Sequence, residues 1–220
     1  MPSWGMAATR LAMFPLSAVL FPGASMPLHV FEPRYRTLMH DCLAGDGRFG
    51  VVLIERGSEV GGGDVRATLG TRGFIDRSIE LPDGRWLLRV VGESVVAIDE
   101  WLPEDPYPAA LVHEHEGAAE GGAAVSAETA RSIEAAGQRV RRARAVLAEH
   151  GGAPPLPPER ALDGDGDSTA ALWELCAAAP LSAYDAQRLL ACTGASARAG
   201  LLTELMEDLE LDLQRMLTSE

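Results

Sequence analysis

The chain has 220 residues, of which 47% are hydrophobic and 23% are charged, a composition that excludes disorder as its main state. It carries 32 acidic and 19 basic residues, so its formal net charge of -13 disfavours binding to nucleic acid or to an anionic membrane. All the basic residues are arginines, and the absence of lysine excludes a P-loop phosphate site, a Ser-Lys dyad and a Schiff base.

The three cysteines, Cys42, Cys176 and Cys192, show no C-x-x-C spacing. Neither a disulfide framework nor a structural zinc site is therefore predicted, and a reducing cytoplasm is the expected location. Residues 11–31 are apolar, but prolines and a glycine interrupt them and no basic segment precedes them. We therefore predict mature, soluble structure here instead of a signal peptide or a membrane span.

The first predicted elements are two short strands and a helix. Apolar residues 19–21 and 26–31 are separated by Pro22-Gly23, which is typical of a tight turn between strands. A helix is predicted to begin at Pro33, because the missing N–H of proline has no partner at the first helical position. It is predicted to end before residues 45–47, which read Gly-Asp-Gly.

Strands dominate the next part of the chain. The predicted strands cover residues 49–54, 67–79, 85–101 and 107–116, and the third of them is predicted to be broken at residues 92–94. Six or seven strands with short turns and one early helix predict a small closed or half-closed β-barrel, because closure removes exposed strand edges.

The rest of the chain shows helical periodicity. Four helices are predicted over residues 126–150, 168–178, 182–192 and 196–217, with a flexible linker over 151–167. The predicted organisation is a disordered leader over residues 1–10, a barrel domain over 11–117 and a helical domain over 118–220. The fold class is therefore α+β.

An acidic stretch follows the EF-hand pattern in part. Asp163, Asp165 and Asp167 stand at alternate positions and Glu174 is at the twelfth, as in a calcium loop. The sixth position is Ser168 instead of glycine, and a proline-rich segment replaces the entering helix. We interpret the stretch as an acidic linker that caps the next helix, with calcium binding as the alternative, and we expect no metal or cofactor.

Two further patterns receive structural interpretations. His113 and His115 lie on one face of a predicted strand but have no third ligand nearby, so a polar strand end is predicted instead of a metal site. Arginines in the first long helix scatter around its axis, which favours solvated charge over a phosphate-binding face. They are Arg139, Arg141, Arg142 and Arg144.

Five motifs carry a resemblance to a known family. They are Phe14-Pro15-Leu16, Val19-Leu20-Phe21-Pro22-Gly23, Pro27-Leu28-His29-Val30-Phe31-Glu32-Pro33-Arg34-Tyr35, Phe49-Gly50-Val51-Val52-Leu53 and Leu69-Gly70-Thr71. In order and spacing they resemble the N-terminal substrate-binding domain of Lon proteases. The helical part is similar as well, so the resemblance covers roughly residues 11–217.

The resemblance implies a PUA-like β-barrel followed by an α-helical bundle, which full-length Lon joins to an ATPase and a Ser-Lys protease. Without lysine neither active site is available, so we expect a stand-alone, non-catalytic copy. The chain departs from the family at residues 92–95, which read Gly-Glu-Ser-Val where the family usually has an Arg-rich turn. Most matching residues are interpreted as fold determinants, namely Pro22, Gly23, Pro27, Glu32, Pro33, Arg34, Gly70 and Thr71.

The resemblance also implies a function, the binding of unfolded or tagged polypeptides in proteolysis or protein quality control. Candidate apolar contacts that are not obviously needed inside the barrel are Phe31, Tyr35, Phe49, Phe74 and Trp86. A separate ATP-dependent protease is a further candidate partner, and a monomer or weak dimer is expected. The alternatives are an RNA-binding PUA-like protein and an unaided hydrolase.

Overall fold

The computed structural model describes residues 8–57, 63–115, 125–149 and 168–218. Over these ranges the chain forms six strands and five helices, which confirms the predicted α+β class. It divides into two compact units, Met1–Ala118 and Ala119–Glu220. The first unit contains the strands and one helix, and the second contains the other four helices.

Five of the six described strands of the first unit pair in a closed cycle. The six strands are β1 (Thr9–Leu16), β2 (Ser25–Val30), β3 (Arg48–Arg56), β4 (Val65–Glu80), β5 (Trp86–Trp101) and β6 (Ala109–Glu114). The sheet order is β2-β5-β4-β3-β1-β6, and a further pairing of β5 with β6 links five of the strands into a ring. Only β2 stands outside this ring, where it pairs with the first half of β5.

The strand prediction for residues 19–21 is wrong, because these residues lie in no strand and the strand before them, β1, ends at Leu16. Thr9 and Arg10 belong to this strand and not to a leader. β1 pairs in parallel with β3, where Met13 opposes Gly50, and antiparallel with β6, where Thr9 opposes Val112. Both partner strands are distant in sequence, and such partners are not visible in a local pattern.

At the predicted break the fifth strand does not end: β5 runs from Trp86 to Trp101, but its register with β4 shifts between Gly92 and Ser94. Gly92 instead marks a close approach of two backbone segments. A Cβ atom at this position would lie 2.3 Å from the carbonyl oxygen of Phe21, so only glycine fits. The N–H of Gly92 donates to the carbonyl of Ala24 at 2.9 Å.

Helix α1 (Pro33–Ala44) begins at the predicted proline and has Gly45 at its C-cap. Its buried residues are Tyr35, Leu38, Met39 and Cys42, the apolar positions of the predicted helix. The ring of Tyr35 stacks on that of Phe14 with a centroid distance of 4.3 Å. These side chains join the core of the first unit, which also contains Phe49, Val51, Trp86, Leu88, Val90 and Tyr107.

The second unit consists of α2 (Ala127–Glu149), α3 (Ser168–Ala178), α4 (Ala183–Ala191) and α5 (Ala195–Thr218). Serine residues cap two of these helices. The Ser126 hydroxyl accepts from the N–H of Thr129 at 3.1 Å, and the Ser182 hydroxyl accepts from the N–H of Asp185 at 3.1 Å. The buried core of this unit includes Val140, Leu172, Leu189, Leu202 and Met206.

No helix in the described part of the chain is both long enough and apolar enough to cross a membrane. The predicted linker over 151–167 and most of the predicted leader lie outside the described residues.

Candidate binding groove

An apolar groove lies in the first unit between the end of β1 and the strand β2. Its volume is about 190 Å³. We call it the β1–β2 groove, and it is lined by Phe14, Pro15, Leu16, Pro27, Leu28, His29, Val30, Phe31, Glu32 and Tyr35. All ten residues belong to two of the family motifs, residues 14–16 and 27–35.

The most accessible large apolar side chain of the groove is Phe31, which is 52% exposed. Its ring lies beside that of His29, with centroids 5.9 Å apart and planes tilted by 58°. Tyr35 is buried, and its ring stacks on that of Phe14. The groove therefore combines a fixed aromatic pair with an exposed aromatic side chain that an apolar ligand can cover.

Paired charges surround the aromatic residues. The Glu32 carboxylate accepts a hydrogen bond from Arg34 Nε at 3.1 Å, and Arg34 also lies 3.6 Å from Glu104. The Arg34 guanidinium is 4.5 Å from the centroid of the Tyr35 ring. Burial raises the pKa of Tyr35 to about 12, so its phenol is neutral at physiological pH.

The five predicted contact residues do not form one surface. Tyr35, Phe49 and Trp86 are needed inside, contrary to the sequence expectation, since they are 3%, 0% and 8% exposed and belong to the core. Aromatic rings have the largest apolar area to bury, so enclosing them in the core stabilises the first unit most. Phe74 is 37% exposed, does not line the groove, and lies 5.3 Å from the Arg48 guanidinium.

The sequence reasoning missed the contribution of β1 to the groove. Phe14, Pro15 and Leu16 line it together with Leu28 and His29. The available signal was that all five positions belong to the family motifs. Their shared position became visible only with the strand pairings.

Several motif residues lie in tight backbone contacts. Gly23 has a φ of +75° and donates its N–H to the carbonyl of Gly92 at 2.9 Å. A Cβ atom on Gly70 would lie 2.5 Å from the carbonyl oxygen of Val51. Thr71 is 1% exposed, and its hydroxyl donates to the carbonyl of Leu20 at 2.5 Å.

A second cavity in the same unit has a volume of about 470 Å³ and is lined by polar and apolar groups alike. Two of its charged groups are paired, since Tyr107 donates to the Asp41 carboxylate at 2.6 Å and Arg48 donates twice to Glu93 at 2.8 Å. Cys42 also lines this cavity, but burial raises the pKa of its thiol to about 12. The thiol is therefore protonated at neutral pH and is a poor nucleophile.

The two metal-like patterns of the sequence form no metal site within the described residues. His113 Nδ1 lies 2.9 Å from the Asp99 carboxylate, as in a polar strand pair. Within the described ranges no group of three or more His, Cys, Asp or Glu side chains is arranged to hold a metal ion. Three of the four residues of the calcium pattern, Asp163, Asp165 and Asp167, lie outside these ranges, and Glu174 lies in α3.

Arginines of α2 contact acidic residues of α5. Arg139 donates to Glu207 at 2.6 Å and to Glu210 at 2.7 Å, and Arg142 donates to Glu210 at 3.2 Å. These arginines neutralise carboxylates of their own unit, which leaves less positive charge for a phosphate backbone.

A ring of paired strands with a lateral apolar groove, followed by a helical unit, defines a mixed α+β domain protein. The sequence model of one protein family, the ATP-dependent protease La (LON) substrate-binding domain, matches residues 10–208. The chain therefore belongs to the LON substrate-binding domain family.

Individual relatives agree with this assignment. A Lon protease from Flavobacterium johnsoniae is 32% identical over 107 residues, which cover 47% of this chain and 13% of that protease. The crystal structure of a Lon N-terminal domain protein from Xanthomonas campestris matches with a TM-score of 0.64 and 27% identity, covering 88% of this chain and 96% of that one. The N-terminal domain of a Mycobacterium avium complex Lon protease matches with a TM-score of 0.64 and 14% identity, covering 91% of this chain and 99% of that one. At this identity the match supports the fold alone.

Proposed function

We propose that this chain is a non-catalytic module that binds exposed apolar segments of unfolded or tagged polypeptides. The observation that carries the proposal is the β1–β2 groove, where Phe31 is 52% exposed beside an apolar lining. An exposed aromatic side chain next to a preformed groove supplies the apolar area that recognition of unfolded segments requires. Membership of the LON substrate-binding domain family supports the same conclusion.

The module acts in proteolysis or protein quality control, with a separate ATP-dependent protease as the candidate that receives its clients. The absence of lysine supports a non-catalytic role, because a P-loop and a Ser-Lys dyad both need one. Three free cysteines fit a cytoplasmic location. The net charge of -13 argues against the RNA-binding alternative.

Binding of fluorescently labelled casein at physiological salt tests the proposal. We expect saturable binding. We expect Phe31→Ser to weaken it about five- to tenfold, because the exposed half of the Phe31 ring, which a ligand would cover, is lost. The matched control is Tyr184→Ser, since Tyr184 is an aromatic residue of the helical unit that is 72% exposed. Equal losses in both variants, or no binding by the wild type, would reject the groove as the site.

Incubation of casein with the protein and ATP tests the non-catalytic role. We expect the casein to remain intact over the period in which a complete ATP-dependent protease degrades it. Cleavage that co-purifies with the chain through two different columns would contradict the proposal and favour the hydrolase alternative.

A further inference from the structure

The outer edge of β2 carries hydrogen-bonding groups that no described strand uses. β2 is the terminal strand of the sheet order and pairs only with β5. Its other edge borders the β1–β2 groove, which Pro27 and His29 of this strand help to line. An unpaired strand edge beside a groove is a template for an added strand.

The strand register shows which residues point to the free edge. In the β4–β5 hairpin Leu81 donates to the carbonyl of Arg85, so the backbone groups of Leu87 and Arg89 face β4. The alternate residues of β5, Leu88 and Val90, therefore face β2.

In the β2–β5 ladder Leu88 opposes Leu28 and Val90 opposes Met26. Leu28 and Met26 therefore use their backbone groups inside the sheet. The groups of Ser25, Pro27 and His29 point away from β5, and none of these residues has a backbone partner among the described residues.

Proline at the centre of this edge agrees with that parity, because Pro27 has no N–H to lose from the ladder. The free edge thus offers the N–H groups of Ser25 and His29 and the carbonyls of all three residues. The gap left by Pro27 weakens the edge as a template for a second identical edge, which limits aggregation of the protein with itself.

The net charge of the chain indicates which segments fit. Glu32, the one carboxylate among the groove-lining residues, is paired with Arg34, but the chain as a whole carries a net charge of -13. An apolar segment flanked by lysine or arginine complements this field, whereas a segment flanked by acidic residues is repelled.

We propose that an extended, apolar segment of a client polypeptide, flanked by basic residues, adds as a strand to the free edge of β2 and places side chains in the β1–β2 groove. The inference rests on the proposed function, because it specifies how the groove holds a polypeptide. Main-chain hydrogen bonds hold the segment, and the groove selects its alternate side chains.

Two substitutions at one position separate strand addition from side-chain contact. His29→Pro removes the outward N–H without touching the β5 ladder, and His29→Ala removes the ring but keeps the N–H. For an apolar peptide flanked by lysines we expect His29→Pro to bind about three- to tenfold more weakly than His29→Ala, the effect of one lost hydrogen bond. Equal affinities for the two variants, both folded by circular dichroism, overturn strand addition.

A second measurement uses only the wild-type protein. Single N-methylation along the peptide removes one peptide N–H at a time, and we expect the losses in affinity to alternate with a period of two residues. Losses without alternation overturn strand addition. If the unmodified peptide and casein both fail to bind, the proposed function fails first, which is a different result.

The charge preference has its own comparison. The same apolar peptide is flanked by lysines in one version and by glutamates in the other. We expect tighter binding of the lysine version and a smaller difference at 0.5 M salt, because screening weakens the attraction. Equal binding at low salt overturns the basic flank.

Discussion

The guanidinium of Arg198 lies over the indole ring of Trp173, with Cζ 3.6 Å from the ring centroid. Both side chains are buried, and Arg198 is 0% exposed. Its Nε donates to the carbonyl of Leu189 at 3.2 Å and its Nη2 to that of Cys192 at 2.6 Å, so it caps the C-terminal end of α4. One arginine of α5 thus holds α3 and α4 together, and two of its contacts need the planar fork of a guanidinium.

We expect Arg198→Met to destabilise the helical unit by about 1.5–3 kcal/mol, because hydrogen bonds from a charged donor to two buried carbonyls are lost. Urea unfolding followed by helical circular dichroism measures the change. The control is Arg188→Met, since Arg188 is partly exposed and pairs with Asp185 on the surface of α4. A similar, small loss in both variants would contradict the structural role of Arg198.

Two glycines provide an opposed pair of predictions. Gly92→Ala places a Cβ atom 2.3 Å from the Phe21 carbonyl, and we expect a loss of about 1–3 kcal/mol from this overpacking. At Gly200 in α5 a Cβ atom meets nothing within 4 Å, and we expect Gly200→Ala to gain about 0.5–1 kcal/mol from higher helix propensity. Thermal unfolding of both variants checks the signs, and stabilisation by Gly92→Ala would contradict the close approach.

Two of the three tyrosines are predicted to ionise late. Burial raises the pKa of Tyr35 to about 12, and burial together with the hydrogen bond to Asp41 raises that of Tyr107 to about 12. The folded-state pKa values exceed the unfolded value of about 10. The stability that the two protonated tyrosines contribute is therefore complete below about pH 10 and is lost as the pH rises towards about 12. Absorbance at 295 nm measures the titration, in which Tyr107→Phe should remove one late ionisation. Ionisation of Tyr35 and Tyr107 near pH 10 in the folded protein would contradict it.

The hydrogen bond between Asp64 and Arg66 makes the stability of the first unit depend on pH in the acid range. This bond from Arg66 Nε, at 2.5 Å, lowers the pKa of the Asp64 carboxyl below the ordinary value of 3.8. The stability that this bond contributes is therefore present above pH 3.8 and is lost as the pH falls below it.

We expect Asp64→Asn to cost about 1.5–3 kcal/mol at pH 7 and less at pH 3. Urea midpoints at the two pH values measure the difference between variant and wild type. Asp83→Asn is a control, since Asp83 forms a similar pair with Arg85 but is exposed. A difference for Asp64→Asn that does not change with pH would contradict the linkage.

The sequence alone determined the elements whose signals are local. Pro33 marked the start of α1, and the predicted helix starts at residues 126 and 182 fall on the serines that cap α2 and α4, because the residues that satisfy a helix end lie within a few positions of it. The five short motifs also identified the family, since their prolines and glycines at fixed spacing encode its turns. The α+β class followed from the change from strand to helix periodicity.

Only the tertiary structure decided which side chains the groove contains. Tyr35, Phe49 and Trp86 have the same apolar character as Phe31, and burial of the first three depends on strands and a helix that meet from distant parts of the chain. β1 was missed for the same reason, because its partners β3 and β6 follow it by many residues. A strand's pattern shows which faces are apolar, but the pairing decides which edge stays free, and the free edge of β2 is the feature on which the proposed recognition depends.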